Sequence, residues 1–164
     1  MKLLFLTLLL ISAVNMQADN APAWRNPLVN QQNREARRAN FFAYENEALA
    51  RAGEKSHSSR YLSMEGLWRF HFVKNHQDAP KDFFSLGFDD TQWENFPVPG
   101  LFELNGHGDR IYKNIGYAWA TTFDSNPPYI GETENYTGSY RREFTLPADW
   151  KGQQVLFRVG SATS

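Results

Sequence analysis

Gly66-Leu67-Trp68-Arg69-Phe70-His71-Phe72-Val73 alternates with a period of two. Trp68, Phe70 and Phe72 fall on one side, and Arg69 and His71 on the other. That is the pattern of a half-buried β-strand, and it places His71 on a sheet surface rather than in a ligand set. Downstream, residues 75–81 form a polar turn, and Phe83, Phe84, Leu86 and Phe88 an apolar patch. Asp89-Asp90-Thr91 opens a turn before Trp93, Phe96 and Val98, where Pro97 and Pro99 fit an edge strand or its end. Residues 139–146 alternate again, with Tyr140, Arg142 and Phe144 opposite Arg141 and Glu143. A turn at 147–152, with Trp150 packed beneath it, leads to a further predicted strand at 153–159, whose Val155, Phe157 and Val159 face together. Short strands, turn signals and no long amphipathic helix predict an all-β sandwich or jelly roll. About four or five strands are visible where a closed sandwich needs roughly seven or eight, so the domain is expected to be incomplete at its C-terminus.

Upstream, residues 1–18 read as a signal peptide. Lys2 supplies the positive start, and residues 3–14 form an apolar run shorter than the roughly 20 residues of a membrane span. Residues 19–60 read as an arm and wrapper. Pro22 and Pro27 keep the arm extended, while Trp24, Leu28 and Val29 offer anchors. Residues 45–51 predict a short helix ended by Gly53.

The formal charge of −1 favours neither nucleic acid nor an anionic membrane as a partner. With no cysteine, stability rests on packing, and the four scattered histidines form no metal-binding motif. The aromatic share of 15% needs a use, and it concentrates in residues 110–140, which hold five of the seven tyrosines with Trp119 and Phe123. Aromatic faces among amides and carboxylates suit a polar ring better than an aliphatic core does. Residues 101–137 are glycine- and proline-punctuated, and so long a loop in a compact domain is usually functional.

Several phrases, in order, match those of one known family. Trp24-x-Asn26-Pro27-x-Val29 is similar to the family's N-terminal arm. Met64-Glu65-Gly66-Leu67-Trp68-Arg69-Phe70 resembles its LNGxWRF strand. Val98-Pro99-Gly100 followed by Phe102-Glu103-Leu104-Asn105-Gly106 resembles VPSNWQxxGY, with Phe102 in place of Trp. Ile111-Tyr112-Lys113-Asn114-Ile115 is similar to IYTNV. Asn126-Pro127-Pro128, then Thr133-Glu134-Asn135-x-Thr137-Gly138-x-Tyr140, resembles NPP…TENPTGxY, and Gly160-Ser161-Ala162 resembles the start of a later strand.

Together these phrases resemble the N-terminal part of the long-chain β-galactosidases of glycoside hydrolase family 2, and the resemblance implies a galactose-binding-like jelly-roll β-sandwich at residues 61–164, truncated before the family's catalytic (β/α)₈ barrel. It implies a retaining glycosidase whose two glutamates lie on that barrel, so residues 1–164 carry no catalytic residue and are expected to be inactive alone. Glu103, Asp124, Glu132 and Glu134 are then loop-structuring or surface acids. The resemblance assigns Asn114 a hydrogen bond to a galactosyl hydroxyl, and Ile115 an apolar contact on the same rim. The local alternative for Asn114 is a turn asparagine. Tyr117 and Trp119 read equally as sugar-stacking rings or loop anchors. Asn135-Tyr136-Thr137 fits an N-glycosylation acceptor, read as coincidental within the family phrase. No cofactor is assigned to these residues, while Mg²⁺ or Na⁺ near the barrel is implied for the parent enzyme. Implied partners are a β-galactoside, the barrel of the same chain and a homo-oligomeric parent, exported to a periplasmic or extracellular site. The alternatives are a stand-alone carbohydrate-binding module and a β-glucuronidase or β-mannosidase of the same family.

Overall fold

The structure is a computed structural model that describes residues 22–26, 28–37, 39–110 and 135–162. The expected signal peptide lies outside the described residues. Among the described residues, three antiparallel strands form one sheet: β1 (Gly66–Val73), β2 (Glu94–Val98) and β3 (Thr137–Arg141), in the order β2-β1-β3. The alternation of β1 sets the two faces. Phe70, opposite Glu94 and Tyr140 in the ladders, is 1% exposed, and Phe96, opposite Trp68, is 2% exposed. The Phe70 ring lies 4.5 Å from Phe96 and 4.7 Å from Tyr140, centroid to centroid, at the tilted angles aromatic pairs favour.

The opposite face carries Arg69 and His71. His71 stacks on Trp93 with ring centroids 5.5 Å apart, as a sheet-surface residue does. Arg69 and Arg141 are direct cross-strand partners, an arrangement that two like charges disfavour by themselves. Both are tied to the turn before β2. Arg69 donates to the carbonyls of Asp90 and Thr91, at 2.6 and 2.7 Å. Arg141 meets the Asp90 carboxylate and donates to the carbonyls of Phe88 and Ser85. The loop between β1 and β2 is thereby held down by guanidinium groups. Phe84 and Leu86 of the apolar patch project into solvent.

Two strand boundaries differ from expectation. β3 begins at Thr137, two residues before the alternation at 139, and Gly138 packs within it. A Cβ on Gly138 would stand 2.6 Å from Phe70 Cε2, so only glycine lets the strand pass beneath that ring. β3 ends at Arg141 because Arg142 turns its guanidinium onto the carbonyls of Met64 and Glu65, both at 2.7 Å. The predicted strand at 153–159 does not form. Its residues pair with no strand among those described, and Phe157 and Val159 are more than 60% exposed. Alternation alone does not make a strand, since the ladder needs a neighbour. Its polar side chains do reach the wrapper, with Gln154 Nε2 donating to Glu35 and Arg158 Nη1 to Asn40. The structure is thus all-β with short helical turns, and the sheet seen is one layer.

The wrapper folds on itself. The helix α1 (Glu47–Ala52) begins two residues later than predicted, because the Asn46 side chain accepts the Leu49 N–H as an N-cap. Gly53, at φ 75°, closes it in the left-handed conformation. The Glu45 carboxylate accepts from the hydroxyls of Ser58 and Ser59 and from the Arg60 N–H. Trp150 then donates from its indole to the Ser59 carbonyl at 2.7 Å, which joins the wrapper to the 147–152 turn. In the arm, Trp24 meets the His76 ring at 4.4 Å, whereas the expected anchors Leu28 and Val29 are exposed.

Glu45 has a measurable consequence. The hydrogen bond from its own main chain, followed by those of Ser58 and Ser59, outweighs partial burial and lowers its pKa from 4.5 to about 2. A depressed carboxylate contributes stability that is fully present above its unfolded pKa and lost as pH falls through its folded one. The stability advantage of the wild type over Glu45→Gln should therefore be constant above pH 4.5 and shrink between pH 4.5 and about 2. Paired denaturation curves across that window check it, and a difference that does not change with pH would contradict the assignment.

Candidate functional site

Asn114 and Ile115, the residues assigned to sugar contact, lie outside the described residues. So do Tyr117, Trp119, Phe123, Asp124, Glu132 and Glu134. The structure describes the platform from which the chain departs at Arg110 and to which it returns at Asn135. That platform is built on the Phe70 face of the sheet.

Its departing side is a 3₁₀ turn, Phe102–Asn105, closed by Gly106 at φ 96°. The Asn105 amide donates to the Leu101 carbonyl at 2.8 Å, which tightens the turn. Phe102 packs on Phe72 of β1 at 5.5 Å. His107 then inserts its ring against Phe70 and Phe72, at 5.1 and 5.3 Å, and its Nε2 stands 2.8 Å from Glu94 Oε1 on β2. Arg110 folds back, its Nε donating to the Glu103 carbonyl at 3.0 Å.

The returning side is Tyr136. Counting back from Tyr140 by twos puts its side chain on the same face, and its ring meets Phe72 at 5.6 Å. Its hydroxyl donates to Asp109 Oδ2 at 2.6 Å. Gly108, at φ 65°, lies against the Tyr136 ring, where a Cβ would come within 2.9 Å of a ring carbon. Thr137 Oγ1 donates to the Asn135 carbonyl at 3.1 Å, and its residue pairs with Val73 in the ladder. The Asn135-Tyr136-Thr137 triplet is thus part of this platform. Tyr140, beneath, has its phenol pKa raised by burial and then by the charge of Glu103, so it stays a neutral donor at physiological pH.

Chemically, the platform offers aromatic surface with its polar groups already engaged. Glu94 is partnered by His107 and Asp109 by Tyr136. The main-chain carbonyl of Glu103 serves the turn by accepting from Arg110. Among the described residues, no group of three or more His, Asp and Glu side chains is placed to hold a metal ion, so no metal chemistry is assigned to them. No described helix is long and apolar enough to cross a membrane. His107 and Tyr136 escape a reading of motifs because their partners lie far away in sequence. The parity of Tyr136 with Tyr140 is the one signal that points to it.

Comparison with known proteins bears on this arrangement. The model of the glycosyl hydrolases family 2 sugar binding domain matches residues 61–164. The chain is 32% identical over 139 residues to a β-galactosidase of Priestia megaterium, covering 84% of this chain and 13% of that protein. It is 32% identical over 136 residues to a β-galactosidase of Psychromonas ingrahamii, covering 82% and 12% respectively. It is 34% identical over 113 residues to the β-galactosidase large subunit of Leuconostoc lactis, covering 61% of this chain and 18% of that one. The chain therefore spans less than a fifth of the length of these relatives.

Proposed function

Because the chain belongs to family 2 of the glycosyl hydrolases through their sugar binding domain, we propose that it serves an exported β-galactosidase as the jelly roll that helps seat a terminal β-galactoside. The observation that carries this reading is the alignment to β-galactosidases over more than four-fifths of the chain. In this reading the domain acts beside a catalytic barrel of the same polypeptide, within a homo-oligomer. That barrel holds the acid/base and nucleophile glutamates and any Mg²⁺ or Na⁺, so residues 1–164 alone do not hydrolyse glycosides. The leader at residues 1–18 directs export.

Asn114 reaches the sugar in this reading. A primary amide both donates and accepts, as a sugar hydroxyl does, so one side chain fixes the hydroxyl's orientation. Ile115 lines the same rim. In the full-length protein, Asn114→Ala is expected to raise KM or lower kcat for p-nitrophenyl β-D-galactoside by about tenfold, the scale of one lost hydrogen bond. The melting temperature should be unchanged. Wild-type kinetics in that variant would remove Asn114 from the site. A wild-type preference for β-glucuronide or β-mannoside would overturn the substrate assignment.

A further inference from the structure

We propose that Asn105 is a site of spontaneous covalent modification, where the Asn105-Gly106 pair closes to a succinimide and opens to aspartate or isoaspartate, and that the turn Phe102–Asn105 gates the reaction. The inference does not depend on the sugar-binding role.

Asn105-Gly106 is the one Asn-Gly pair in the sequence. Glycine after asparagine favours this chemistry, because no Cβ shields the main-chain nitrogen that must attack. Both residues are exposed, and a Cβ built on Gly106 would meet no atom within 4 Å beyond its chain neighbours, so water reaches the pair. In the first step the Gly106 nitrogen gives its proton to base and attacks Cγ of Asn105. The N–Cγ bond forms and the Cγ–Nδ2 bond breaks, and Nδ2 leaves as ammonia with a proton from solvent. Water then opens the ring. Cleavage at Cγ leaves aspartate, and cleavage at the main-chain carbonyl leaves isoaspartate. No oxidant or reductant is needed.

The turn engages both reacting groups. The Asn105 Nδ2 donates to the Leu101 carbonyl at 2.8 Å, which draws the amide back along the turn. The Gly106 N–H donates to the Phe102 carbonyl, so the nitrogen keeps its proton while the turn is closed. Phe102 on Phe72, at 5.5 Å, and His107 on Glu94, at 2.8 Å, brace the turn from either end. Reaction therefore waits on local opening, and the open population sets its rate. The product cannot close the turn in the same way. A carboxylate has acceptors only, and it would face the Leu101 carbonyl in a stretch that already carries Glu103 and Asp109. The conversion is thus one-way, and it loosens the turn that seats Phe102 and His107 on the sheet.

The test incubates the full-length protein in mildly alkaline buffer. Mass spectrometry follows the peptide containing Asn105, and isoaspartyl methyltransferase reads the isoaspartate product. Conversion in the folded wild type should be about tenfold slower than in the guanidinium-unfolded chain. It should be about threefold or more faster in folded Phe102→Ala and His107→Ala than in folded wild type. Asn105→Asp, which carries the product's carboxylate, should show faster amide hydrogen exchange at residues 102–107. Equal rates in folded and unfolded wild type overturn the gate, as do Phe102→Ala and His107→Ala variants that convert no faster than wild type. An unfolded chain that does not convert overturns the site. So does a folded wild type without product after about ten times the span that converts the unfolded chain. Wild-type exchange in Asn105→Asp overturns the consequence for the turn.

Discussion

Phe70→Ala should lower the stability of the protein by about 3–5 kcal/mol, the usual cost of truncating a buried phenylalanine. The ring is 1% exposed and meets Phe96, Tyr140 and His107 at 4.5, 4.7 and 5.1 Å. It also covers Gly138, so its loss opens a hole beside main chain that has no side chain to refill it. The residues around it sit on three strands and a turn, and they cannot collapse together without breaking the ladders. Thermal unfolding followed by circular dichroism should show a fall in melting temperature of about 10 °C or more. Phe70→Leu should recover roughly half of the loss. A loss below about 1 kcal/mol in the alanine variant would mean that this face is not the core.

Asp90→Ala should cost about 2–3 kcal/mol, and for a different reason. Its carboxylate stands between Arg69 and Arg141, which face each other across the β1–β3 ladder. Removing it leaves two guanidinium groups side by side with no carboxylate between them, only neutral oxygens and, for Arg141, the Phe88 ring at 5.5 Å to offset their charges. The figure lies below that for breaking a fully buried pair because these side chains retain 13–32% exposure. Asp90→Asn keeps the shape but not the charge and should fall between the wild type and the alanine variant. Added salt should narrow the gap, since it screens the arginine pair. Urea unfolding at low and high salt reads both effects, and a gap that widens with salt would contradict the repulsion argument.

The legible parts of this fold were those whose cause is local. The alternation of Trp68, Phe70 and Phe72 announces β1, Pro97 and Pro99 announce the end of an edge strand, and Gly53 announces a helix stop. Each depends on a few neighbouring residues. The start of β3 was not legible because the ring that packs on Gly138 lies far away in sequence. The alternation at 153–159 was misleading for the opposite reason, since its local pattern is sound but a strand also needs a partner. The meeting of Arg69, Asp90 and Arg141 depends on a register that no local window contains. For the site, the phrases around Asn114 and Ile115 carry the functional reading, and the described structure gives the flanks at Arg110 and Asn135. The pairings His107 with Glu94 and Tyr136 with Asp109 join residues 13 and 27 positions apart, which no single phrase spans.

The prolines of β2 bear on more than where that strand ends. β2 is an outer strand of the sheet, and Pro97, in the middle of its exit, carries no main-chain N–H. An incoming strand that tried to lie along β2 would meet a gap in the row of donors it needs. β3 carries no proline, so the N–H groups of alternate residues are retained along its outer side. Among the described residues the sheet is therefore polar in the sense a crystal face is: the β2 margin is poisoned against further growth, and the β3 margin lacks that device. A neighbour recruited through main-chain pairing, from this polypeptide or from another, is steered to the β3 margin and away from β2.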